Sequence, residues 1–277
     1  MSDPDLIHDR VSVNALCFIG TPLRELATYW KQLRPRRVSF ITNLLFDEGI
    51  EAAKAALGTG DYKVETFSHQ FLAGSLQDQS LWSASRDRLS QAIEFAKTLG
   101  AKSIYMVTGG RGDGSWEQAA EWFARAIEPC IAQSKAAGVP LLVECSPPLY
   151  DHTHLAHSLR DTVILAEIAN IGVCADLFAC WTEAELDKTL ARAAPRLHLI
   201  QIGDYVLRDM GYPCRAVPGD GAIPIKRFCE SALRLGYKGA FDLELLGPRL
   251  DREGRVPAVA RAAAYMGSML QSLGVES

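Results

Sequence analysis

Leu197-His-Leu-Ile-Gln-Ile-Gly-Asp-Tyr205, Arg215-Ala-Val-Pro-Gly-Asp-Gly-Ala-Ile223 and Gly239-Ala-Phe-Asp-Leu-Glu-Leu-Leu246 follow one another near the end of the chain. Two short apolar runs each lead to one polar residue, Gln201 and Glu244, and bracket a loop with Arg215 and a Pro-Gly-x-Gly turn. Side chains alternate faces along a strand, so Leu199 shares a face with Gln201, and Asp242 with Glu244. Parallel strands that end in polar residues are how an α/β barrel presents chemistry at its mouth.

Outward from this stretch the same unit repeats. Strands are expected at 11–18, 37–42, 63–68, 103–107, 139–144, 171–176, 197–202 and 240–244. Helices are expected near 22–34, 47–57, 80–99, 115–137, 155–169, 182–194, 224–235 and 256–273. Their start signals include a Ser115-Trp-Glu-Gln118 capping box and Thr182 ahead of Glu183 and Glu185. Gly100, Gly138 and Gly236 mark three helix ends. Strands apolar on both faces and joined by helices imply a parallel sheet, and eight repeats imply a (β/α)8 TIM barrel occupying 1–277 as a single domain. A doubly wound open sheet is the alternative, and it usually has fewer repeats.

The 277 residues are 48% hydrophobic and 22% charged, with a formal net charge of −4. That composition supports a full core and offers no basic field for a nucleic-acid backbone, so a small-molecule partner is expected. No apolar run approaches membrane-spanning length and no leader pattern opens the chain, which is read as cytoplasmic. Seven scattered cysteines without a CxxC pair argue against a disulfide framework or a zinc ribbon.

The expected strand ends form the shortlist for a site: Asn14, Thr42, Ser68, His69, Thr108, Glu144, Asp176, Gln201 and Glu244. The last four are oxygen donors on strands five to eight. An ionised carboxylate at an apolar barrel mouth is costly unless paired or metal-bound. One such group alone reads as a rim ion pair; four on successive strands call for a cation. An all-oxygen set favours Mn²⁺ or Mg²⁺, with Co²⁺ admissible, over tetrahedral zinc.

Val143-Glu144, Ala175-Asp176, Gln201-Ile-Gly-Asp204, Arg215-x-x-Pro-Gly-Asp-Gly-x-Ile223 and Leu243-Glu244 together resemble the xylose-isomerase-like TIM barrels, which include sugar isomerases and epimerases, hydroxypyruvate isomerase, inosose dehydratase and dehydroshikimate dehydratase. The resemblance implies Glu144, Asp176, Gln201 and Glu244 as metal ligands and Arg215 as a substrate-binding residue. Gln201 stands where many members have His. Ala179 stands where a His often contacts a sugar hydroxyl, a departure that puts an ordinary ketohexose substrate in doubt. Homo-oligomers are common in the family, so a homo-oligomer is admissible.

The implied activity is isomerisation or epimerisation of a carbohydrate-like hydroxy-ketone, with Glu144 and Glu244 as catalytic acid and base. The alternative is a lyase on the same scaffold, a dehydratase or a β-elimination; behind both stands a non-catalytic sugar-binding protein. Further substrate contacts are expected from His69 at the end of strand three, from His154 in the Pro-rich loop after Glu144, and from Trp181 after strand six. Arg111 in the Gly109–Gly114 loop could reach an anionic substrate. His198 has the opposite parity to Gln201 and is expected to face the helices.

Overall fold

The structure is a computed structural model and describes residues 7–276. In chain order its strands are β1 (Val11–Asn14), β2 (Arg37–Ile41), β3 (Lys63–Gln70), β4 (Ile104–Val107), β5 (Leu141–Glu144), β6 (Gly172–Asp176), β7 (Leu197–Ile202), β8 (Asp204–Tyr205), β9 (Arg215–Ala216) and β10 (Phe241–Leu243). The helices are α1 (Leu23–Leu33), α2 (Thr42–Glu48), α3 (Ile50–Leu57), α4 (Trp82–Leu99), α5 (Trp116–Ala137), α6 (Leu159–Ala169), α7 (Leu177–Cys180), α8 (Leu186–Ala193), α9 (Ile225–Arg234), α10 (Pro248–Glu253) and α11 (Arg255–Ser272). Eight parallel strands close into a barrel in the order β1-β10-β7-β6-β5-β4-β3-β2. The short antiparallel pair β8–β9 stands apart from it.

By its contacts the chain divides into two compact units, one running up to Glu65 and resuming at Ile200, the other spanning Thr66–Leu199. In the first, β1 pairs with both β2 and β10, and β10 pairs with the end of β7. Trp30 of α1 packs edge-on against Phe40 of β2, ring centroids 5.5 Å apart. In the second, β3 to β6 pair in sequence, and Tyr105, Leu142, Cys174 and Leu199 form one buried cluster.

Local signals explain most of the boundaries. The capping box of α5 is complete, with Gln118 N–H donating to Ser115 Oγ (3.2 Å) and Ser115 N–H to Gln118 Oε1 (2.9 Å). The helix ends at Gly138 in the left-handed region, φ 69°.

Four boundaries differ from expectation for identifiable reasons. The first strand stops at Asn14, whose side chain accepts from Leu16 N–H and turns Ala15–Phe18 into a 3₁₀ turn. Thr42 opens α2 instead of closing a strand. Helix α6 starts at 159, not 155, because Ser158 caps it by accepting from Asp161 N–H at 3.0 Å. Helix α8 starts at 186, not 182, since Glu183 turns away to accept from the N–H groups of Leu159 and Arg160 at the start of α6. All seven cysteines are free and buried. Among the described residues no helix is long and apolar enough to cross a membrane.

Candidate active site

In the Thr66–Leu199 unit, Glu144 ends β5 and Asp176 ends β6, 6% and 0% exposed. Glu144 stands in register with Cys174, and alternation places both carboxylates on the face of the Tyr105–Leu142–Cys174 cluster. Asp176 Oδ1 accepts from Phe178 N–H at 3.0 Å and so caps the single turn of α7. Cys145 holds the backbone of Asp176 from both sides, donating to its carbonyl and accepting from its N–H, each at 3.3 Å.

His154 is 1% exposed and uses both ring nitrogens on backbone. Thr108 N–H donates to Nδ1 at 3.0 Å, which places the proton on Nε2, and Nε2–H donates to the Glu144 carbonyl at 2.8 Å. Burial, only partly opposed by the Glu144 carbonyl, pulls its pKa down to about 4. The expected substrate contact is therefore corrected: His154 is a neutral staple tying the loop after Glu144 to the end of β4. His69 is corrected too. The register pairs Ser68 with Tyr105 and His69 with Met106, so His69 points to the opposite face from the buried cluster. Burial, then the charge of Arg88, takes its pKa down to about 3. Trp181 follows α7, partly exposed, five residues beyond Asp176.

In the other unit, Gln201 and Glu244 are 0% and 5% exposed. Arg215, only 4% exposed, donates from its terminal nitrogen to Glu244 Oε1 at 2.9 Å, and Gln201 Nε2 donates to Glu244 Oε2. Asp204, adjacent to Gly203, organises what surrounds Arg215. Its Oδ1 accepts from Tyr205 and Ile223 N–H (2.8 and 3.1 Å), and its Oδ2 from Gly219 and Gly221 N–H (both 2.9 Å). A Cβ at Gly221 would stand 2.3 Å from Asp204 Oδ1, which is why the second glycine of the Pro-Gly-x-Gly turn is required.

Beneath Glu244, on the same face of the strand, lies Asp242, fully buried and in register with Gln201. It accepts from Asn14 Nδ2 (2.6 Å) and Ser39 Oγ (2.7 Å), and Ser12 and Ser39 share a further bond of 2.9 Å. Burial raises its pKa to about 6 despite those donors. Sequence reasoning placed neither Asp204 nor Asp242 in the site. The signal for Asp242 was available in its shared parity with Glu244; that for Asp204 was its fixed place next to a strand end and ahead of a glycine turn.

Among the described residues no group of three or more His, Cys, Asp or Glu side chains stands assembled to hold a metal ion. By type, the three carboxylates and one amide oxygen expected as ligands do fit a hard divalent cation, which takes oxygen donors, more than a thiolate-preferring one.

Solved structures agree on the fold. A Sinorhizobium meliloti 1021 protein, SMc04130, matches with a TM-score of 0.81 and 20% identity, over 97% of this chain and 99% of that one. The IOLI protein with a bound zinc atom matches with a TM-score of 0.81 and 14% identity, over 95% and 99%. The apo E. coli 3-keto-D-glucoside 4-epimerase YcjR matches with a TM-score of 0.73 and 15% identity, over 91% and 98%. No curated protein matches. Residues 25–268 match the family model described as xylose isomerase-like TIM barrel, and the chain belongs to that family.

Proposed function

We propose that the protein is a divalent-metal-assisted isomerase or epimerase of a carbohydrate-like hydroxy-ketone. Glu144, Asp176, Gln201 and Glu244 would hold the ion, and Glu144 and Glu244 would move the proton. The observation that supports this most is how Glu244 is held, with one buried carboxylate oxygen on Arg215 and the other on Gln201. A buried ion pair contributes little net stability, whereas proton transfer needs a carboxylate fixed in place. The family includes this class of reaction, and the likeness in fold to a keto-glucoside epimerase and to a zinc-bearing protein points the same way.

A divalent ion would supply positive charge to the oxygens flanking the carbon that loses its proton. Glu144 would take that proton as general base, and Glu244 would return one as general acid. Arg215 holds Oε1 as a fixed ion pair, so proton exchange would fall to Oε2, with the neutral Gln201 amide turning aside from it. Return to the neighbouring carbon gives an isomer; return to the opposite face gives an epimer.

The test is incubation of metal-loaded enzyme with candidate hydroxy-ketones in D₂O. Deuterium in a product of otherwise unchanged composition supports the proposal, and loss of water assigns a lyase instead. Glu244→Gln should lower kcat by about 10²–10⁴-fold with the fold intact by circular dichroism. Near-normal turnover in that variant would remove Glu244 from proton transfer.

A further inference from the structure

The N-terminal ends of β5, β6 and β7 take no part in the proposed reaction, yet they hold a cavity of about 390 Å³. Its size falls within the range of small-molecule pockets. Ile131, Leu141 and Ile171 give it apolar walls, and Lys135, Arg196 and His198 give it polar ones. No Asp or Glu is among its lining residues.

The basic groups are not neutralised locally. Arg196 donates to the Ile171 carbonyl at 3.1 Å and to Asn170 Oδ1 at 3.5 Å, both uncharged acceptors that fix its direction without cancelling its charge. Lys135 is exposed, and its ammonium forms no ion pair or hydrogen bond with any described residue. Partial desolvation lowers the pKa of His198, whose ring forms part of the wall. Gly172 keeps that wall open, since a Cβ there would lie 2.5 Å from Leu142 Cδ2 and 2.7 Å from His198 Cδ2.

Two uncompensated cations over an apolar floor select a ligand with both properties. A bare anion would leave the hydrocarbon walls unused, and a neutral apolar molecule would leave the charges unmet. We propose that this cavity binds a small carboxylic acid with an apolar body, an aryl or short acyl carboxylate. Its oxygens meet Lys135 and Arg196 and its hydrocarbon meets Ile131, Leu141 and Ile171.

Calorimetric titration of the full chain with benzoate and hexanoate tests this, with acetate and benzamide as probes lacking the apolar body or the charge. Saturable one-to-one binding of the two acids is expected, with acetate and benzamide at least about tenfold weaker. Lys135→Gln should weaken binding by about tenfold, and Ile131→Trp, which fills the cavity from α5, should abolish it with melting temperature retained. Glu244→Gln should bind the acids as wild type does. Absence of saturable binding to the wild type, or equal binding by both cavity variants, overturns the proposal. Loss of binding in Glu244→Gln would place the acid at the other ends of the strands and overturn it as well.

Discussion

Glu244 and Glu144 close strands of the same barrel, yet they are held in different ways. Glu244 is fixed through its side chain, by Arg215 on one oxygen and Gln201 on the other. The backbone of Glu144 is pinned by a histidine, the neutral ring of His154 donating to its carbonyl. The clamp on Glu244 depends on the charge of Arg215; the staple on the Glu144 backbone depends on the loop that carries His154. The two regions should therefore fail under different insults.

The sharpest separation comes from Arg215→Met, which strands a buried carboxylate without its cation. It should destabilise the protein by about 3–5 kcal/mol in urea titrations, and Arg215→Lys should recover part of the loss. A small change for Arg215→Met would mean that Glu244 finds another partner and that the charge clamp is not what holds it.

Asp204→Ala comes next. It removes the acceptor of four backbone N–H groups in the loop that carries Arg215 and should lower stability by about 3 kcal/mol, with proteolysis rising between 205 and 222. Unchanged proteolysis there would show that the glycine turn holds without Asp204.

The third prediction concerns pH and addresses the Glu144 side. The folded pKa of His154 lies below that of the unfolded chain, at about 4 against an ordinary value near 6.5. As pH falls through this window the unfolded chain takes up the proton first. The stability from neutral His154 is thus complete above about pH 6.5 and lost toward pH 4, about 3 kcal/mol in all. His69, down to about 3, adds to the same slope. His154→Gln should flatten the slope of unfolding free energy against pH, and an unaltered slope would assign it to other groups.

Much of this site is legible in the order of the residues, because its signals are local. The Ser115–Gln118 capping box forms as its residues predict, and the strand ends Glu144, Asp176 and Gln201 stand at or within one residue of their expected positions. What misleads is also local. His69 and His154 look like substrate contacts because they lie close to strand ends. One residue of register turns His69 to the other face, and two backbone groups claim both nitrogens of His154. Thr182 looks like a helix cap, but Glu183 finds a better use at the start of α6, 24 residues earlier in the chain.

Periodicity and capping are written into neighbouring residues, so the chain by itself determined the repeated strand-helix unit, the barrel, and the four oxygen donors at the strand ends. Partners are not written there. Arg215 meets Glu244 across 29 residues and Asn14 meets Asp242 across 228, and pairings at such separations exist only once the strands have closed. Tertiary structure therefore decided that Arg215 clamps Glu244, that His154 is locked neutral between two backbone groups, and that Lys135 and Arg196 line a cavity with no Asp or Glu among its lining residues.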